Sequence, residues 1–194
     1  AQDIARETDA IGGQMNAFTT KECTCFYARV LDEHLAQATD ILCDMVYHSA
    51  FAQSSVETER GVILEEIDMY EDTPDDLCAE KLFGAVFQGS PLARPILGTQ
   101  ATLAPMTGEW LAQWQREHYR PGALVAALAG SFTQGQVDRL KDCLAQLEPG
   151  PVAQTGPAAY RPAVTARKKA IEQNHLILAF PSLTYLDARR PQLL

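Results

Sequence analysis

The sequence has no apolar run near the roughly 20 residues a membrane-spanning helix needs, so no membrane partner is expected. It has no excess of basic residues: sixteen Lys and Arg stand against twenty-five Asp and Glu, a net charge of −9. Nucleic-acid ligands are held by basic surfaces, so that class of partner is set aside. It has no C-x-x-C pair. The five cysteines are Cys23, Cys25, Cys43, Cys78 and Cys143. The number is odd, and Cys23 and Cys25 would share one face of a strand, too loose a signal for a zinc knuckle. The expectation is five reduced thiols in an intracellular, cytoplasmic protein. Histidine is scarce as well. His34, His48, His118 and His175 are scattered with no second histidine at ligand spacing, and each reads as a surface or capping residue. There is no initial Met and no signal peptide, and a chain opening at Ala1 reads as a piece of something longer.

What is present is an ordinary globular composition, 46% hydrophobic and 21% charged over 194 residues. That length suits one large domain or a tight two-layer unit. A short amphipathic helix is expected over Gln2–Ile11, with Ile4, Thr8 and Ile11 inward and Gly12-Gly13 stopping it. Met15–Thr19 and Thr24–Leu31 read as strands. Asp32 is placed as the cap of a helix whose buried stripe is Leu35, Ala38, Leu42 and Met45. Thr99 and Thr107 are each placed as caps of further helices. The unbroken apolar run Ala123–Ala129 is expected to be a central strand buried on both faces, in one sheet with Thr24–Leu31 and Leu176–Phe180. Thr133–Leu147 follows as a helix with Val137, Leu140, Leu144 and Leu147 inward. A Pro/Gly-rich connector at about 148–165 carries Pro149, Pro151, Pro157 and Pro162. Arg167–Glu172 and Leu176–Phe180 read as two more strands, and a helix is expected to start at Tyr185. Helices are grouped rather than alternating with strands. The fold class is therefore α+β, with a mixed or antiparallel sheet and helices packed on one face.

The organising stretch is Val56–Asp76, VETERGVILEEIDMYEDTPDD, helical up to a break at Thr73-Pro74. At about 100° per residue, Val56, Ile63, Ile67 and Tyr70 share a stripe, with Val62 at its edge. Glu59 and Glu66, seven residues apart, fall inside that stripe. Glu57, Glu65, Asp68 and Glu71 point elsewhere. An ionised carboxylate on a core face is costly unless it is paired, hydrogen-bonded or metal-bound. The residues alone leave two readings open: structural pairing to an Arg, a Lys or backbone amides, or chemistry.

Four segments then stand in order: Gly12-Gly13-x-x-Asn16-Ala17-x-Thr19, Glu59-Arg60-x-Val62-x-x-x-Glu66-Ile67, Pro95-Ile96-Leu97-Gly98-Thr99, and Tyr119-x-Pro121 running into Ala129-Gly130. Together they cover nearly the whole chain. They resemble the pitrilysin/insulinase family of inverted-zincin metallopeptidases, in particular its processing-peptidase-like bacterial members. The resemblance implies an α+β half-module of the pitrilysin/processing-peptidase type, a metallohydrolase-like fold used in tandem. In that family zinc is held by two His of an H-x-x-E-H motif and a distal Glu. The match puts the distal, metal-binding Glu at Glu66 and the second functional Glu, near but not on the metal, at Glu59. It makes Asn16, Ala17 and Phe18 an edge strand that pairs with an extended peptide substrate. Asn16 read by itself is equally a turn or strand-end cap.

This chain contains no H-x-x-E-H. The nearest lookalike, Val30-Leu31-Asp32-Glu33-His34, lacks the first His. The family's motif lies upstream of the distal Glu, before Ala1 here. The whole of 1–194 is therefore read as one incomplete half-domain of a zinc-dependent metalloendopeptidase. By itself it is expected neither to hold Zn2+ tightly nor to hydrolyse peptides, because zinc sites take three or four protein ligands. The implied partners are a second half-domain or homologous subunit, or a second copy in a homodimer. The alternatives are a non-catalytic partner or scaffold of the same family and an unrelated α+β domain with buried ion pairs.

Overall fold

The computed structural model describes residues 2–184 and 186–193. Helix α1 spans Gln2–Ala10. It ends where Gly12 takes φ +59°, a left-handed value that glycine reaches without a Cβ penalty. There the Gly12 and Gly13 amides donate to the Asp9 and Thr8 carbonyls, each at 3.0 Å. Thr8 and Ile11 are buried as the amphipathic pattern requires, and the Thr8 hydroxyl is satisfied by the Ile4 carbonyl at 2.9 Å. Strands β1 (Gln14–Thr19) and β2 (Thr24–Arg29) form an antiparallel pair with Asn16 opposite Tyr27 and Phe18 opposite Cys25. Helix α2 (Leu35–Tyr47) packs against β2, which gives the helix-on-sheet, α+β arrangement.

The described residues form two compact units. The first joins the chain up to Val62 with Gln100–Gly156; the second joins Ile63–Thr99 with the chain from Pro157 onward. In the first, Ile11, Ala38, Ile41, Cys43, Val46 and Leu103 are buried. Each large apolar side chain removed from water contributes about 1.5–3 kcal/mol. Helix α7 (Gln134–Leu144) packs on α2. It opens on a full capping box, Thr133 and Gln136 bonding each other's backbone amides, and turns Val137, Leu140 and Leu144 half inward; it ends at Leu144, short of the expected Leu147. The Arg139 guanidinium grips the Asp40 carboxylate with two donors across the α2–α7 contact. Helices α5 (Gln100–Leu103) and α6 (Gly108–His118) complete this unit, and the Thr107 hydroxyl caps α6 at the Trp110 amide. The second unit holds α4 (Pro74–Val86), which starts on Pro74 after the extended Thr73 and buries Val86. Helix α3 (Gln53–Asp72) runs through Val62, contributing its first half to one unit and its second half to the other.

Several expectations fail. Ala123–Ala129 is not a strand: Pro121–Ala123 is a single 3-10 turn, Leu124 after it is extended, and the rest of the run carries no strand assignment, with Val125 94% exposed. Arg167–Glu172 and Leu176–Phe180 are likewise without strand pairing, and Leu176, Leu178 and Phe180 are exposed. Among the described residues the sheet has two strands. A β-prone run becomes a strand only when a partner takes its amides and carbonyls, and among the described residues none of these three has a strand partner. The α2 stripe is also rotated: Ala38, Ile41, Cys43 and Val46 are buried while Met45 is exposed. Asp32 lies in a 3-10 turn (Asp32–His34) that precedes α2. It bonds the Glu33 amide and the Ser131 hydroxyl rather than capping the helix. The start of the helix expected from Tyr185 lies outside the described residues; beyond it, Arg190–Leu193 is a 3-10 turn.

The five-thiol expectation also changes. Cys43 on α2 and Cys143 on α7 form a disulfide with Cα atoms 6.5 Å apart, and Cys23, Cys25 and Cys78 are free. The two helices face each other closely enough to bring a buried Cys43 against Cys143, a proximity that positions 100 residues apart do not reveal. Peptide mapping of the unreduced, alkylated protein should recover Cys43 and Cys143 in one cross-linked peptide and the other three cysteines alkylated. Alkylated Cys43 or Cys143 would show that the bridge is absent.

Candidate functional site

The candidate site is built on α3. The helix is continuous from Gln53 to Asp72, so Glu59 and Glu66 stand seven residues apart on one helix as the spacing requires. Seven residues are 700°, about 20° short of two turns, so their Cα–Cβ bonds project alike about 10 Å apart along the axis. The premise that this face is a core face is wrong. No residue of α3 is buried. Val56, Ile63 and Ile67 are half-buried, Val62 and Tyr70 are exposed, and so are both glutamates. Neither carboxylate therefore carries the burial cost that first set it apart.

The most covered charge in the first half of α3 is Arg60 instead, its side chain 19% exposed. Its Nε donates to the Leu103 carbonyl at 3.2 Å, Nη2 to the Met106 carbonyl, and Nη1 to the Glu57 carboxylate. Glu57 also accepts from Gln53 Nε2 at 2.5 Å. Gln53 Oε1 in turn accepts from the Gly108 amide at 2.9 Å. A Cβ on Gly108 would overlap the carbonyl oxygen of Phe51, a residue held at φ +44°. So the start of α3 lies hard against the start of α6, where only glycine fits. Arg60 was part of the sequence signature without a role of its own. The readable signal was a cation three residues after an acid, which a surface helix pair explains equally well.

At the other end of α3, in the second unit, Lys169 Nζ donates to the Glu71 carbonyl at 2.6 Å and to Asp72 Oδ1 at 2.7 Å. Arg167 pairs with Glu71. Two of the three charges in Arg167-Lys168-Lys169 are thus spent on the helix end, where cations also meet the unsatisfied carbonyls and the negative end of the dipole. The hydrogen bond and then the charge of Lys169 hold the Asp72 carboxyl below its usual range.

On β1, Asn16, Ala17 and Phe18 are all exposed. Asn16 Oδ1 accepts from the Ala17 amide at 2.8 Å, and Phe18 packs on Tyr27 with ring centres 6.3 Å apart. β1 has a single strand neighbour among the described residues, β2. His34, the lookalike histidine, follows Glu33 with its Nε2 3.8 Å from the carboxylate. Among the described residues no three His, Cys, Asp or Glu side chains come together to hold a metal ion. A zinc site needs at least three such ligands, so these residues do not make one, and no reaction step through zinc follows from them. The hollow lined by Asp32, Ser131, Thr133 and Gln136 is already spent on internal bonds: Ser131 to the Asp32 carboxylate at 3.2 Å, Gln136 Nε2 to the Asp32 carbonyl at 3.0 Å. No helix among the described residues is long and apolar enough to cross a membrane.

The family model described as insulinase, peptidase family M16, matches residues 1–100, the part that holds α1, β1, β2, α2, α3 and α4. An uncharacterized zinc protease of Streptomyces coelicolor is 44% identical over 203 residues, covering 98% of this chain and 44% of its own length. An uncharacterized zinc protease of Bacillus subtilis is 40% identical over 184 residues, covering 94% of this chain and 45% of its own. In fold, the chain is similar to a crystal structure described as a peptidase M16 inactive domain from Pseudomonas fluorescens. The TM-score is 0.73 at 20% identity, over 80% of this chain and 39% of that one. The chain belongs to the insulinase family of peptidases, family M16. It spans a little under half the length of these two zinc-protease relatives.

Two substitutions test the supports of α3 in the full-length protein. Alanine is favoured over glycine inside a helix by about 1 kcal/mol. Overpacking costs about 1–3 kcal/mol, and a backbone carbonyl cannot swing aside as a side chain can. Gly108→Ala should therefore destabilise by about 1 kcal/mol net in urea unfolding; an unchanged or raised midpoint would mean that the Phe51 carbonyl yields freely. Asp72 has a depressed folded pKa, so its contribution is complete above the ordinary carboxylate range and is lost as pH falls through the folded value. Lys169→Ala should return the Asp72 carboxyl toward its ordinary value in an NMR titration. The change in stability should be small, since the pair is exposed and screened. An Asp72 titration unmoved by the substitution would show that Lys169 is not the cause.

Proposed function

We propose that this chain is one incomplete half-domain, 1–194, of a zinc-dependent metalloendopeptidase that hydrolyses peptide bonds in extended peptides or unfolded segments. The observation that carries the reading is the Glu59-Arg60-x-Val62-x-x-x-Glu66 signature on a single unbroken helix, in a chain similar over nearly its whole length to proteins named zinc proteases. Glu66 is assigned as one metal ligand and Glu59 as a second carboxylate that tunes the site from a distance. A separation of about 10 Å along the helix is too large for both to be ordinary ligands of one ion at about 2 Å. The remaining ligands and the general base are assigned to residues outside this chain, as is Zn2+ binding of any strength. Asn16, Ala17 and Phe18 on β1 are assigned to an extended peptide, whose backbone would add to the strand edge.

The second half-domain or homologous subunit, or a second copy, is the proposed partner, supported by the share of the relatives' length that this chain leaves uncovered. A cytoplasmic location is supported by three free thiols and opposed by the Cys43–Cys143 bridge. A second reading, a non-catalytic half, is favoured by the structural likeness to a domain described as inactive.

The two carboxylates separate these readings. In the full-length protein, Glu66→Gln should remove zinc, measured by elemental analysis, together with peptidase activity. Glu59→Gln should leave zinc bound and lower kcat by about 10–100-fold, the usual range for a group one step removed from a metal. Zinc retained after Glu66→Gln would overturn the ligand assignment, and a full-length protein without zinc or activity would favour the non-catalytic half.

A further inference from the structure

Helix α3 buries no residue fully, and Val56 is the one half-buried apolar side chain in its first half, so apolar packing constrains its rotation there only weakly. Burial is non-directional in any case; charge-assisted hydrogen bonds are directional. The directional contacts of its first half converge on one segment. Arg60 holds the Leu103 and Met106 carbonyls, and Gln53 holds the Gly108 amide. Gln53 and Arg60 are seven residues apart, so they mark one face of α3 and grip the α5–α6 junction at two points about two turns apart. Glu59 precedes Arg60 by one residue, about 100° around the helix, and is exposed while Arg60 is largely covered.

We propose that Arg60 is a positioning residue: by gripping the Leu103 and Met106 carbonyls it sets the rotation of the first half of α3, and through it the direction in which Glu59 projects. A guanidinium suits this task because its planar fork spans two acceptors in fixed directions, whereas a lysine ammonium is a point donor on a flexible stem. Glu57 completes the arrangement by taking the remaining Nη1 donor, so the charge is balanced where the fork is partly desolvated. The role of Arg60 rests on the reading of Glu59 proposed above.

The test is a double-mutant cycle in the full-length protein, with kcat and KM measured on a fluorogenic peptide and amide hydrogen exchange measured on metal-stripped protein. Arg60→Ala should lower kcat about tenfold, within the range for groups acting through another residue, and change KM little. It should speed exchange over residues 53–62 and 103–108. Arg60→Lys should recover only part of the loss. In the Glu59→Gln background, Arg60→Ala should cost nothing further, because the group it aims is gone. If Arg60→Ala does not fold, Arg60→Lys is carried through the same cycle. Additive losses, or exchange unchanged over both segments, would overturn the positioning role while leaving Glu59 in place. A Glu59→Gln protein with wild-type kcat, or a full-length protein with no peptidase activity, would overturn the reading of Glu59 and this role with it.

Discussion

The Arg60 fork joins α3 to the carbonyls that end α5 and lead into α6. Much in the first unit follows from that contact. It gives the start of a helix without a buried face a defined rotation. It satisfies carbonyls near the end of a four-residue helix too short to secure itself. Beside it, Gln53 holds the Gly108 amide, where a Cβ would overlap the Phe51 carbonyl. At this junction one partly desolvated cation works beside the buried Leu103, whereas the rest of the unit's buried side chains come from α2, with Thr8 and Ile11 at the end of α1.

The two glutamates show how a face argument can rest on a premise that the packing does not supply. Helical spacing put Glu59 and Glu66 on one line, and α3 is unbroken through both. The inference that the line was a core face assumed that Val56, Ile63, Ile67 and Tyr70 are covered. They are half-buried at most, and both acids meet solvent. An apolar stripe on a helix is an opportunity for packing, and the described residues leave this one largely unused. The costly charge on α3 belongs to a residue of opposite sign, which the spacing argument had no reason to weigh.

Local signals were read well where the deciding physics is local. Gly12-Gly13 ends α1, Pro74 opens α4, Thr107 and Thr133 cap α6 and α7, and β1 and β2 fall where strands were expected. Each depends on atoms within a few residues of one another. Signals that need a distant partner were read badly. ALVAALA has the composition of an interior strand, yet Val125 is almost fully exposed, because composition cannot supply the neighbouring strand. The stripe of α2 differs because a helix with apolar residues on several sides can bury any of them; with β2 and α7 packed on this one, Ala38, Ile41, Cys43 and Val46 are the buried set.

By itself the sequence determined where most helices and the first two strands lie, the α+β class, the charge that argues against nucleic acid, and the signatures by which the family is recognised. All of these depend on backbone preferences and spacing along the chain. Only the tertiary structure decided which carboxylates are exposed, which cysteines meet, and which apolar runs find strand partners. It also decided that Arg60, rather than either glutamate, is the charge held among backbone carbonyls. Those outcomes depend on contacts between residues some 40 to 100 positions apart, such as Arg60 with Met106 and Cys43 with Cys143. Spacing along the chain carries no information about such distances until the elements are packed.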